Sequence, residues 1–143
     1  MKKFLAGIVV VSVLAVIPVF PAFADDLASL SGKWSVKKKG PDGEGVTQLI
    51  EIKKDKFTFE IKGSDNKTVL YAEGSIKLEK LGPFSAIKFF NLKAGDSPAQ
   101  TESVDEERQA IYQLSEGMFT MASNFDEIRQ EKPSVDVYTK AGN

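Results

Sequence analysis

The feature that most restricts the fold of this chain is the alternation of apolar and polar residues in short runs separated by turn residues. The clearest run reads K-F-T-F-E-I-K at positions 56–62 and places Phe57, Phe59 and Ile61 on one face. Successive side chains leave a strand on opposite faces, so this pattern predicts a half-buried antiparallel strand. From position 32 onward, no apolar period of about 3.6 residues continues long enough to indicate a core helix. The sequence therefore predicts an all-β fold.

Turn residues divide the chain into about eight such runs, which predicts an up-and-down antiparallel barrel. Eight strands close into a barrel whose interior is filled by side chains or holds one small ligand. Gly74, inside the fourth run, indicates a bulge or a bend. The polar segment 93–107 is predicted to be a mobile loop, because structureless segments of this length are usually mobile or functional. The predicted strands are 32–39, 46–53, 56–62, 68–80, 84–92, 108–114, 118–123 and 135–140.

The first 24 residues have the pattern of an export signal. Lys2 and Lys3 precede an apolar stretch at positions 4–20, and the sequence Ala22-Phe23-Ala24 is typical of a cleavage site. We therefore expect residues 1–24 to be a signal peptide that is removed after Ala24, and residues 25–143 to form one barrel domain. The mature protein is predicted to be periplasmic or secreted and to meet a membrane only through this signal.

The composition excludes several kinds of chemistry. The chain has no Cys and no His, which removes disulfides, His-assisted nucleophiles and the common zinc sites. It has 19 basic and 20 acidic residues, and this balance argues against nucleic-acid binding, which needs a concentrated basic surface. The one basic run, at positions 37–39, is predicted to be a solvated strand end. We expect no catalytic residue, no metal site, no cofactor and no enzyme activity.

Two motifs and one late arginine resemble the lipocalin superfamily. They are L-x-G-x-W at positions 30–34, I-Y-x-L at positions 111–114, and Arg129. More narrowly, the chain is similar to small exported bacterial lipocalin-like proteins of uncharacterised function. The resemblance implies that Gly32 and Trp34 open the first strand at the closed end of the barrel. It also implies that Arg129 packs across the ring of Trp34.

Two functions remain open from the sequence. The first is a carrier for a small hydrophobic ligand, held by inward-facing apolar residues. The second is a protein-interaction or inhibitor module of the cell envelope with a solid-packed barrel, using Phe90 or the acidic residues 105–107 as contacts. We expect a monomer in either case. The candidate ligand-binding residues are Phe57, Phe59, Ile76, Ile87, Phe89, Tyr112, Phe119 and Met121.

Overall fold

The computed structural model describes residues 22–125 and 131–142, and only the backbone of residues 22–24. Within these ranges one helix is followed by nine strands, and no helix there is long and apolar enough to cross a membrane. The expected export signal lies almost wholly outside the described residues, and Arg129 lies outside them entirely. The elements are α1 (Ala22–Leu30), β1 (Gly32–Lys39), β2 (Gly45–Lys53), β3 (Lys56–Lys62), β4 (Thr68–Leu81), β5 (Phe84–Ser97), β6 (Gln100–Val104), β7 (Arg108–Ser115), β8 (Met118–Ser123) and β9 (Ser134–Lys140).

The strands form one closed antiparallel barrel with eight strand positions. The sheet order is β4-β3-β2-β1-β9-β8-β7-β5-β6, and pairing of β4 with β5 closes the ring. The first part of β5, Ala86–Phe89, pairs with β7, whereas its second part, Leu92–Ser97, pairs with β6. Because β6 and β7 follow one another along the same edge of β5, they occupy one position between them. The predicted eight-stranded all-β barrel is confirmed.

The prediction of a loop at positions 93–107 is wrong. β5 continues to Ser97 and turns directly into β6, so most of this segment is a hairpin. The two strands approach so closely at Gly95 that an added Cβ would lie 1.8 Å from the carbonyl oxygen of Gln100. Only glycine fits such a backbone contact. Much of the hairpin is exposed, so its residues are polar. In the sequence, an exposed polar hairpin has the same composition as a loop.

A bulge in β5 changes which of its residues face inward. Before the bulge, Ile87 and Phe89 are buried; after it, Leu92 is buried instead. Asn91 adopts a φ of 52°, and the β4–β5 register shifts opposite Gly74. An added Cβ at Gly74 would lie 2.8 Å from the carbonyl oxygen of Phe90, so the bulge requires glycine on the facing strand. The irregularity predicted at Gly74 is therefore a bulge, and its extra residue lies in β5, the strand that pairs with Gly74.

An aromatic cluster and α1 close one end of the barrel. Phe119 is fully buried and packs edge-on against Trp34, with ring centroids 5.6 Å apart. The indole Nε1 of Trp34 donates a hydrogen bond of 2.7 Å to the carbonyl oxygen of Leu30, the last residue of α1. The hydroxyl of Tyr112 donates a hydrogen bond of 2.7 Å to the carboxylate of Asp26, also in α1. These contacts seal the closed end, where Gly32 begins β1 as expected from the motif.

In the described part of the chain, the cation on the Trp34 ring is Lys140. Its Nζ lies 4.0 Å from the ring centroid and donates a hydrogen bond of 2.6 Å to the carbonyl oxygen of Ser31. The lipocalin resemblance places a cation on this ring but assigns it to Arg129, which lies outside the described residues. A cation over the tryptophan is thus present, contributed by the last strand.

Candidate functional site

The half of the barrel opposite α1 contains a cavity of about 400 Å³. The cavity opens to solvent at its mouth, and its volume shows that side chains do not fill this part of the barrel to the density of a normal protein interior. It forms here because the large rings of Trp34, Phe119 and Tyr138 fill the closed half. Further along β8 and β9 the residues that line the cavity are smaller or polar: Met121 and Ser123 in β8, and Ser134 and Asp136 in β9.

One half of the cavity wall is apolar. It is formed by the neighbouring strands β2 to β6, in ring order, and two aromatic residues at its base, Phe57 and Phe89, pack edge-on with ring centroids 4.9 Å apart. Gln48 is the polar residue that β2 adds to the lining beside Ile50, and a ligand lying against the apolar residues is removed from water. Its lining residues are Ile50, Phe57, Phe59, Ile61, Leu70, Ala72, Phe89, Leu92, Ala94 and Val104.

The other half of the wall carries charged and polar groups. It is formed by β7, β8, β9 and β1 and the segments next to them, with Ala110 and Met121 as apolar residues below. At the border of the two halves, the hydroxyl of Tyr138 donates a hydrogen bond of 3.0 Å to Oε1 of Gln48. The charged and hydroxyl-bearing residues of this polar half are Lys38, Glu106, Arg108, Ser123, Glu131, Ser134 and Asp136.

The charges of the polar half are tied to one another across strands. Lys38 Nζ lies 2.6 Å from Asp136 Oδ1, an ion pair that joins β1 to β9. Both Nε and Nη2 of Arg108 lie 2.9 Å from Oε1 of Glu106. Arg108 Nη1 lies 3.7 Å from Oε2 of Glu131, which is a longer and weaker contact. The polar half is therefore an organised surface rather than a set of independent solvated ends.

Burial perturbs the two tyrosines that point into the barrel. Burial raises the pKa of Tyr138 above its ordinary value, and the nearby carboxylate of Asp136 raises it further. Burial also raises the pKa of Tyr112, and the hydrogen bond to Asp26 adds to this effect. Both phenols therefore stay protonated at neutral pH, where Tyr138 donates to Gln48 and Tyr112 donates to Asp26.

The predicted ligand-binding residues lie at two depths along the barrel axis. Phe57, Phe59, Phe89 and Met121 line the cavity. Ile76, Ile87, Tyr112 and Phe119 face inward too, but they belong to the buried core beneath it. Alternation along a strand identifies the inward face, yet it does not tell how far along the barrel axis a residue lies. Inward residues near the closed end therefore pack as core.

The charged half of the wall was missed by the sequence interpretation, although a signal for part of it is present. Lys38 continues the inward alternation of Trp34 and Val36, and Asp136 has the same phase as the buried Tyr138. The prediction of a solvated basic run holds for Lys37 and Lys39, whereas Lys38 is half-buried and paired. A polar residue at an inward-facing position of a predicted strand is therefore the sequence signal for this half of the wall.

Among the residues that the structure describes, no group of acidic side chains is arranged to hold a metal ion. A more open depression of about 360 Å³ lies on the outside of β5, β7 and β8, next to the exposed ring of Phe84.

Comparison with protein-family models, with curated proteins and with solved structures gave no match.

Proposed function

We propose that this protein is an exported, lipocalin-like binding protein that holds a small, mostly apolar ligand in the open half of its barrel. The observation that carries the proposal is the cavity of about 400 Å³, one side of which is mostly apolar. Ligand pockets typically measure about 300–1,000 Å³ and combine mostly apolar walls with a few placed polar groups. The lipocalin resemblance supports the same function, because the common use of that fold is to carry such molecules.

Binding is favourable because the apolar wall is already built into a rigid sheet. Phe57 and Phe89 are held against each other at the base, and the ladders of β2, β3, β4 and β5 hold the rest of the wall in place. A ligand that enters then loses contact with water without having to order the protein. The free energy of binding comes from this burial, at about 25 cal/mol for each Å² of apolar surface removed from water.

Titration with the uncharged dye N-phenyl-1-naphthylamine tests the proposal, since its fluorescence rises in an apolar site. We expect saturable binding with one site per chain. Ala72→Phe should abolish it, because Ala72 lines the cavity and a phenyl ring there occupies the space. Ala122→Phe is the matched control, since Ala122 lines the outer depression. Loss of binding in Ala122→Phe with retention in Ala72→Phe would place the site outside the barrel and refute the proposal.

A partner protein is the second candidate, and one surface favours it. Val135 and Val137 on the outer face of β9 are 67% and 45% exposed. Exposed apolar residues that share one face of a sheet are typical of contact surfaces. A photo-reactive residue at position 135 should then give one discrete adduct in cells, and the same residue at the exposed Lys77 of β4 should give none.

A further inference from the structure

The charges of the polar half-wall restrict the ligand more closely than its apolar surface does. The described residues that line the cavity include three carboxylates, Glu106, Glu131 and Asp136, against two cations, Lys38 and Arg108. Like charges disfavour one another in the reduced dielectric of a cavity, and opposite charges attract. The excess of carboxylate therefore selects among ligands by the charge of their polar group.

Both cations already have carboxylate partners within the protein. Lys38 is held 2.6 Å from Asp136, whose side chain is only 11% exposed. Arg108 places two nitrogens 2.9 Å from one oxygen of Glu106. An anionic ligand that displaced one of these carboxylates would leave it without its counter-charge, which is costly for a partly buried group. An anion that approached the remaining nitrogen of Arg108, Nη1, would meet the carboxylate of Glu131, whose Oε2 lies 3.7 Å from it. The two cations are thus poor receptors for a carboxylate or a phosphate.

Among the described carboxylates of the polar half, Glu131 has the longest ion-pair distance. Among the residues that the structure describes, its charged contact is the 3.7 Å approach to Arg108, which is already engaged by Glu106, and its side chain is 44% exposed. It therefore retains acceptor capacity toward the mouth, and a positively charged group can approach it while remaining partly hydrated. The two shorter ion pairs, Lys38 with Asp136 and Arg108 with Glu106, stay intact.

We infer that the ligand is a small cationic amphiphile, an amine whose apolar part lies against β2 to β6 and whose charge lies beside Glu131. This inference rests on the proposed binding function and names the chemical class of the ligand. The apolar part is recognised by Phe59, Ile61 and Leu92, and the ammonium group is recognised at the opposite side of the same cavity. A neutral analogue binds less tightly, and an anionic analogue binds least.

The test uses three probes with the same alkyl chain at pH 7: decylamine and decanoate below their micelle concentrations, and decanol below its solubility limit. Each probe displaces N-phenyl-1-naphthylamine from the full mature chain, and the displacement gives its affinity. We expect decylamine to bind about two- to fivefold more tightly than decanol, the size of a partly exposed ion pair. Decanoate should bind more weakly than decanol. The preference for the amine should shrink as salt is added.

Glu131→Gln should remove the amine preference and leave the affinity for decanol unchanged. Glu116→Gln, in the turn between β7 and β8 at the closed end, is the control with the same change in net charge. Equal affinities for amine and alcohol in the parent protein, or tighter binding of decanoate, would overturn the inference while the binding function stands. Failure of the dye and of all three probes to bind would overturn the proposed function and the inference with it.

Discussion

Replacement of Phe119 by alanine is the sharpest test of how the closed half of the barrel is packed. The ring is fully buried and has three aromatic neighbours, with centroids 5.6 Å from Trp34, 6.4 Å from Tyr112 and 5.7 Å from Tyr138. Truncating a buried phenylalanine to alanine costs roughly 3–5 kcal/mol. Each favourable ring pair adds about 0.5–1.5 kcal/mol beyond burial, so we expect a loss in the upper part of that range.

Urea unfolding followed by Trp34 fluorescence measures this loss, because the indole lies in contact with the substituted ring. Met118→Ala is the matched control: the residue precedes Phe119 in β8, is 41% exposed, and should cost within about 0.5 kcal/mol. A typical domain has about 5–15 kcal/mol of stability in total, so the difference is readily resolved. Equal costs for the two variants would mean that β8 presents its other face to the core, and the packing argument would fail.

Three further predictions concern other parts of the barrel. The pKa values of Tyr112 and Tyr138 are raised above the ordinary 10.0, so above about pH 10 the folded state retains protons that the unfolded state loses. The free energy of unfolding, measured in denaturant melts, should therefore fall as the pH rises above about 10. Below that pH these two groups should not affect it. Gly95→Ala should cost about 1–3 kcal/mol in thermal melts, whereas Gly45→Ala, with no heavy atom within 4 Å of its added Cβ, should be near neutral. Lys140→Gln should cost about 0.5–1 kcal/mol and shift the tryptophan emission, and an unchanged spectrum would refute the cation contact.

The sequence predicts the barrel well because its strands obey a period of two. The run at positions 56–62 alternates cleanly, and Phe57, Phe59 and Ile61 all face the interior of the barrel. The strand count follows from turn residues, which act locally. Both signals depend on neighbouring residues alone, so they are readable without knowledge of the tertiary structure.

The features that the sequence leaves open or predicts wrongly depend on contacts between strands distant in sequence. The hairpin of β5 and β6 requires the close approach at Gly95, and the bulge at Asn91 requires Gly74 on the facing strand. The cavity depends on where along the barrel axis each inward side chain lies, which is set by the register of all the strands together. Sequence alternation therefore identifies Phe89 and Ile87 as inward but does not separate the cavity wall from the core.

A methyl NMR titration with N-phenyl-1-naphthylamine tests the central claim most directly, because one residue type reports on every candidate location. With isoleucine δ1-methyls labelled, we predict saturable shifts at Ile50 and Ile61, which line the cavity. Ile76 and Ile87 in the core should shift much less, and Ile111 in the outer depression should not respond. Shifts confined to Ile111, or no saturable shift at Ile50 and Ile61, would contradict a ligand site inside the barrel.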